Sequence, residues 1–274
     1  WDGEWGKWWQ QRHEYGGPPR WVSFNEVEEP IGDHWTYHAV ADVMRANSLL
    51  RSFPEINPKK IGLTGISWGG TIVSTVAGVD SRFAFVIPVY GSGYIHESDS
   101  PGLSQWFPPK NMTPKQFEDY RTKWDPSAHL PYAKMPMLWV SSILDPVFQV
   151  NIFAKSAAAA GGPSTLCLRP FMIHGHGNGW NDAPEIWQFA DSIVKDGPPL
   201  PKLERPEVKD GKVHVKYTGR GKITEAWIYR TTSGGTWKGR KWDFIQCTIG
   251  ETELVANAPL PGGTTAYYVY VFRD

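Results

Sequence analysis

Between Lys59 and Lys195, short apolar runs of strand length alternate with segments of helical period. Lys59 to Thr64 (KKIGLT), Arg82 to Tyr90 (RFAFVIPVY), Met135 to Ser142 (MPMLWVSS) and Ser164 to Met172 read as strands. Gly69 to Gly78, Val147 to Ala160 and Ala183 to Lys195 read as helices, and residues 91–134 read mostly as loop with short helix. This order restricts the chain to an α/β architecture, a mostly parallel sheet flanked by helices. The strand runs are apolar at successive positions, as strands covered on both faces must be. Ahead of them, Asp33 to Phe53 predicts a helix. Asp33 is its expected cap, Ala39, Val43, Ala46, Leu49 and Leu50 its apolar face, and Pro54 its stop.

The pattern changes at 197–206, a Pro-rich linker within DGPPLPKLERP. Beyond it the period becomes two, in KVHVKY, ITEAWIYR, WDFIQCTI and TAYYVYVF, with turn residues between the runs. The expectation is a catalytic-sized α/β region over 1–196 and a small antiparallel β-sandwich over 207–274. Cys167 and Cys247 then fall in different units, and no disulfide is expected.

Charge narrows the range of partners. Lys+Arg 28 balances Asp+Glu 28, so no field steers the chain toward nucleic acid or an anionic membrane. No apolar run approaches the roughly 20 residues of a membrane span. The 15 Trp fit core packing better than a sugar-binding surface, residue by residue. Five of them, Trp1, Trp5, Trp8, Trp9 and Trp21, crowd the first 32 residues, which show no regular period. Residue 1 is Trp, and no charged start with an apolar stretch opens the chain. Any signal peptide is expected to have been removed or never to have been part of this sequence, and the expected setting is secreted or periplasmic.

The chemistry is concentrated at Gly65-Ile66-Ser67-Trp68-Gly69. A G-x-S-x-G match alone is weak, but here an apolar strand enters it and a small-residue helix (GGTIVSTVAG) leaves it. That strand–turn–helix raises a serine hydroxyl above a sheet as a nucleophile. Side chains at 65 or 69 are expected to collide with neighbouring backbone, hence Gly at both. The amide of Trp68, at the helix N-terminus, would face a developing oxyanion.

A serine nucleophile needs a base, and the base needs an orienting acid. Asp145 stands just past the strand MPMLWVSS, where an open parallel sheet places functional residues; its bland reading is a helix cap. Past the next strand come His174 and His176 in RPFMIHGHGNGW. His174 is favoured as the first reached after the strand, leaving His176 as alternative base or pocket residue. The H-x-H pair is also a possible pair of metal ligands, but no third ligand is evident, so no metal and no organic cofactor are expected. The other six His read as structural.

KKIGLTGISWGG, VDSRFAFVIPVYGSG, the Asp-Pro-Val-Phe segment and PFMIHGHG together resemble α/β-hydrolases of the bacterial acetyl xylan esterase and dipeptidyl-peptidase-like group. The resemblance covers about residues 33–195. It implies an α/β-hydrolase fold with Ser67 as nucleophile, Asp145 as acid and His174 as base, since related members carry the His four residues after a Pro, here Pro170. One departure stands out: in the family the Ser turn follows a fifth strand, and a His-Gly-Gly loop gives a second oxyanion amide. Neither the early strands nor such a loop precedes Ser67. The chain is therefore expected to present an open, apolar edge beside the Ser67 strand. A preceding segment or a second chain would complete the sheet; alone, the chain is expected to be unstable or self-associating, and inactive or weakly active. The expected activity is hydrolysis of a small-molecule or carbohydrate ester through an acyl-enzyme on Ser67. Peptide-bond hydrolysis and a catalytically silent carbohydrate-binding protein are the alternatives.

Overall fold

A computed structural model describes residues 29–100, 103, 112–175, 183–219 and 222–273. The first half of the chain forms helix α1 (Trp35–Ser52), strand β1 (Gly62–Ile66), helix α2 (Trp68–Val79), strand β2 (Phe85–Val89) and helix α3 (Pro114–Lys123). Strand β3 (Met137–Ser142), helix α4 (Val150–Ala159), strand β4 (Ser164–Arg169) and helix α5 (Pro184–Val194) follow. The four strands form a parallel sheet in the order β1-β2-β3-β4. Its register runs Gly62↔Phe85 to Ile66↔Val89, Val86↔Met137, and Met137↔Ser164 to Ser142↔Arg169.

Every residue of the central strands β2 and β3 is buried, which accounts for the apolar run of β2 and of residues 137–140 in β3. Helix α2 packs on β1 and β2, α4 on β3 and β4, and α5 on β2 and β3. Each β–α–β step moves one strand along, so the ends of β1, β3 and β4 that carry Ser67, Asp145 and His174 lie along one rim of the sheet. Among the described residues β1 pairs only with β2, and its outer edge has no ladder partner.

Two expectations for α1 are corrected. Asp33 does not cap it; Asp33 ends a 3₁₀ turn, and His34 is the N-cap residue, without a side-chain cap bond. The buried positions are Thr36, Val40 and Asn47, whereas Leu49 and Leu50 remain 61% and 41% exposed. A polar contact decides the orientation. Buried Asn47 donates to Asp80 (3.2 Å), which also takes the Arg82 guanidinium through Nε and Nη2 at 2.7 Å. An unsatisfied buried carboxylate costs more than a partly exposed Leu. Helix α3 starts from a capping box, Thr113 accepting from the Gln116 amide while the Gln116 side chain accepts from the Thr113 amide.

The C-terminal antiparallel unit comprises β5 (Lys202–Leu203), β6 (Glu207–Lys209), β7 (Lys212–Thr218), β8 (Ile223–Thr231), β9 (Asp243–Ile249), β10 (Glu253–Ala256) and β11 (Ala266–Arg273). These seven strands form one ladder, β11-β8-β9-β10-β7-β5 with β6 also on β7, curled over an apolar interior. Lys202–Leu203, inside the Pro-rich segment, already pairs with β7. Asp210 and Gly211, with φ of 49° and 76°, make the tight β6–β7 turn.

Strands β8 and β11 pack against protein on both faces. Ala226, Ile228, Val269 and Val271 join the unit's own core with Val213, Val215 and Leu254. The alternate residues Trp227, Tyr229, Tyr268 and Tyr270 join the core of the α/β region. There Tyr229 and Tyr268 stack with centroids 5.2 Å apart. Tyr270 donates its hydroxyl to Glu185 (2.8 Å), whose other oxygen accepts from Arg169 (2.6 Å). Cys167 and Cys247 are buried free thiols, one in each unit.

Tyr270 belongs to a core shared by both units. Replacing it by Ala is expected to lower the urea-derived unfolding free energy by about 3–5 kcal/mol. A loss under about 1 kcal/mol would show that the face adds little to stability.

Candidate active site

Strand β1 hands the chain to α2 through one residue, Ser67. Its φ of 54° and ψ of −122° are unusual for a side-chain-bearing residue; such a conformation costs on the order of 1–3 kcal/mol and persists only where neighbours hold it. The Ser67 amide donates to Val89 O (3.0 Å) and its carbonyl accepts from Thr71 N (3.2 Å). Gly91 passes directly beneath: a Cβ there would overlap the Ser67 carbonyl oxygen. A Cβ on Gly65 would overlap the Gly69 carbonyl, and one on Gly70 would sit 2.9 Å from Gly91 Cα.

The expectation for Gly69 is overturned: a Cβ at 69 would meet nothing within 4 Å. Position 69 supplies only backbone to the crowded approach. The tight contacts fall at Gly65, Gly70 and Gly91.

Ser67, Asp145 and His174 come together. Ser67 Oγ lies 2.9 Å from His174 Nε2, and His174 Nδ1 lies 2.8 Å from Asp145 Oδ2. Asp145 is buried, its side chain 1% exposed. Its second oxygen accepts the amides of Val147 and Phe148, both at 2.8 Å. The capping reading and the orienting reading of Asp145 thus apply to different oxygens of one carboxylate. With Oδ1 saturated by amides, Oδ2 is left for the imidazole, which places the Nδ1 proton toward Asp145 and the Nε2 lone pair toward Ser67. Trp68 begins α2, so its amide lies in the first turn of that helix, at the positive end of its dipole. His176 lies outside the described residues, as do Trp1, Trp5, Trp8, Trp9 and Trp21.

The imidazole has aromatic neighbours that the sequence reading left unassigned. Tyr90 lies 4.5 Å from it, centroid to centroid, and Phe148 6.1 Å away, nearly parallel to it. The Tyr90 hydroxyl donates to the Gly175 carbonyl. Burial, with the Asp145 charge nearby, pushes the Tyr90 phenol up to about 12. The only sequence signal for this residue was its place at the end of the strand before Gly-Ser-Gly.

The loop after Tyr90 is ordered by buried Asp125. Its carboxylate accepts the amides of Tyr94 (2.9 Å), Ile95 (3.1 Å) and Ser127 (2.8 Å). Burial alone would raise this carboxyl, but hydrogen bonds from His96, Ser127 and Tyr94 hold it below the usual range. Gln149 and Pro146 tie residues 98–100 of the same loop to the Asp145 turn, through Ser98, the Asp99 amide and Ser100. The β8–β9 loop reaches this segment too, Trp237 N donating to Asp99 at 2.8 Å.

Trp124 is a core residue, 8% exposed. It donates from its indole to His34 Nδ1 (2.9 Å) and lines a cavity of about 440 Å³ along α1 with Tyr37, Val40 and Met44. Ser67, Asp145 and His174 do not line that cavity. Among the described residues, no group of three His, Cys, Asp or Glu side chains is placed to hold a metal, and no helix is long and apolar enough to cross a membrane.

The model of the prolyl oligopeptidase family matches residues 26–191. Among solved structures, the chain is similar to acetyl xylan esterase 1 from Thermoanaerobacterium sp. JW/SL YS485. The identity is 16% and the TM-score 0.52, over 65% of this chain and 59% of that one. It is also similar to the acetyl xylan esterase from Paenibacillus sp. R4, at 18% identity and TM-score 0.55, over 67% and 60%. The chain therefore spans about 60% of the length of these esterases. At such identity the likeness is one of fold. No curated protein matches the chain.

The Ser67 turn is held by backbone crowding at 65, 70 and 91, not at 69. Gly91→Ala is expected to lower stability by about 2 kcal/mol or more, and Gly69→Ala by under about 0.5 kcal/mol, in thermal or urea unfolding. Equal losses in both variants would contradict this assignment.

Proposed function

This chain belongs to the prolyl oligopeptidase family, a family of serine hydrolases, and from that membership we propose that it hydrolyses a carboxylic ester through an acyl-enzyme on Ser67. The observation that carries the reading is the hydrogen-bonded chain Ser67 Oγ–His174 Nε2–Asp145 Oδ2, at 2.9 and 2.8 Å.

Ser67 Oγ attacks the ester carbonyl carbon while His174 Nε2 takes the hydroxyl proton. Asp145 holds the imidazole in the tautomer that can accept it and stabilises the imidazolium that results. The Trp68 amide donates to the oxyanion of the tetrahedral intermediate, helped by the positive end of α2. The intermediate collapses as the C–O bond to the alcohol breaks, and His174 returns its proton to that alcohol. Water then attacks the acyl-enzyme, His174 takes its proton, and Ser67 leaves with the proton restored as the carboxylic acid departs. A second amide would complete the oxyanion site. The edge of β1 that has no ladder partner among the described residues is where an added strand, from a preceding segment or a second chain, would bring one close.

For the substrate class we favour an acetyl or other short acyl group on a carbohydrate, because the two fold relatives named above are acetyl xylan esterases. The family's description favours a second reading, cleavage of a peptide bond, which would use the same steps with an amine as leaving group. A catalytically silent carbohydrate-binding protein has no need of a strained Ser67 facing an oriented imidazole.

Assayed on p-nitrophenyl acetate, Ser67→Ala is expected to lose activity by on the order of 10⁴-fold or more, and Asp145→Asn about 10³–10⁴-fold. Retained activity in Ser67→Ala would refute the assignment. In a panel of p-nitrophenyl esters against aminoacyl-anilides, faster turnover of short-chain esters supports the esterase reading, and the opposite ranking supports the peptidase.

A further inference from the structure

We propose that Tyr90 is a positioning residue that holds the His174 imidazole in line between Ser67 and Asp145. This rests on the reading of those three residues as the reacting centre.

His174 sits on a segment of irregular backbone after β4. Its flanking side chains give that segment little anchorage, since Phe171 is 80% and Ile173 77% exposed; Met172 alone of the three is buried. The segment nonetheless has to keep an imidazole aligned to two hydrogen bonds at once, and a displacement of about 1 Å at such a site can cost a hundredfold in rate.

Tyr90 supplies an anchor from the centre of the sheet. It follows β2, is 1% exposed, and is pinned by its amide to Val140 O of β3 at 2.7 Å. Its φ is 34°, a left-handed value that only a constrained neighbourhood sustains in a bulky residue. From this base the side chain does two things. The ring packs against the imidazole, 4.5 Å between centroids at an interplanar angle of 42°. The hydroxyl donates to the carbonyl of Gly175, the residue next to His174 and 85 positions away in the chain. One side chain therefore contacts both the ring that moves the proton and the backbone that carries it. The phenol remains a donor through the neutral and alkaline range, because burial and the Asp145 charge push its ionisation up to about 12.

The aromatic contact adds to the geometry. When His174 takes the Ser67 proton it becomes an imidazolium, and an aromatic face within about 6 Å favours a cation. Loss of the ring therefore removes both an alignment and a stabilising neighbour, whereas loss of the hydroxyl alone removes the backbone tie.

The test combines proton NMR with kinetics on the full chain, in wild type, Tyr90→Phe, Tyr90→Leu and His174→Ala. The low-field signal of the imidazole proton shared with Asp145 is identified by its loss in His174→Ala. In Tyr90→Phe this proton is expected to exchange with water about 10-fold faster, and kcat on p-nitrophenyl acetate to fall about 10-fold with KM within about twofold. In Tyr90→Leu the fall in kcat is expected to reach about 100-fold. Should Tyr90→Leu fail to fold, Tyr90→Phe, which lacks a single oxygen, carries the test. An unchanged signal and unchanged kcat in the variants overturn the role of Tyr90 and leave the reacting centre standing. A rise in KM at constant kcat also overturns it, assigning Tyr90 to substrate contact. A wild type with no such signal, and with activity that survives His174→Ala, overturns the reacting centre and this inference with it.

Discussion

The backbone at Ser67 cannot relax, because other backbone fills the space around it. Val89 O holds its amide, Gly91 passes under its carbonyl, Gly65 lies close against the Gly69 carbonyl, and Gly70 close against Gly91. The left-handed φ is unfavourable for serine by itself. It persists because β2 and α2 are already packed against each other, and rotating Ser67 into an ordinary conformation would break that packing. The hydroxyl is thereby raised above the sheet and aimed at one place. The position of His174 matters only because that direction is fixed, and the saturation of Asp145 Oδ1 by two amides matters only because it leaves Oδ2 for His174.

The rest of the molecule supports that corner by sharing faces. Strands β8 and β11 bury one side in their own unit and the other against the α/β core, so the antiparallel unit is a structural layer over β4 and α5. Tyr270 and Arg169 converge on Glu185 at the start of α5, tying that layer to the strand that leads into the His174 segment. A further tie from Trp237 to Asp99 reaches the loop that Asp125 orders. The segments around the imidazole are thus held from β2, from the Asp145 turn and from the far unit.

The parallel layer was legible because burial on both faces leaves an unbroken apolar run, and β2 and residues 137–140 of β3 are such runs. The period-two strands were legible for the converse reason. Their odd and even positions meet different surroundings, although in β8 and β11 both surroundings are protein. Ser67, Asp145 and His174 were legible as chemical types at strand ends, and the structure brings them within hydrogen-bond reach. The α1 face was misread because apolar spacing favoured Leu49 and Leu50, while the buried Asn47–Asp80–Arg82 contact, which joins residues over 30 positions apart, sets the orientation. Gly69 was misread because a motif does not say which of its glycines meets neighbouring backbone. The Tyr90 contact could not be read at all: it spans 85 positions and depends on a backbone angle that no local pattern announces. The short strands β5, β6 and β10 were missed because two to four residues carry too little periodicity.

Every step of the proposed reaction requires Ser67 to be a nucleophile activated by His174. The most direct measurement is the site and rate of covalent labelling by a fluorophosphonate, followed by intact-mass and peptide mapping. One adduct per chain is expected, on the peptide containing Ser67, formed more slowly by on the order of 10³-fold in His174→Ala. A folded protein that takes up no label, or takes it up at another residue at a rate indifferent to His174, would contradict it.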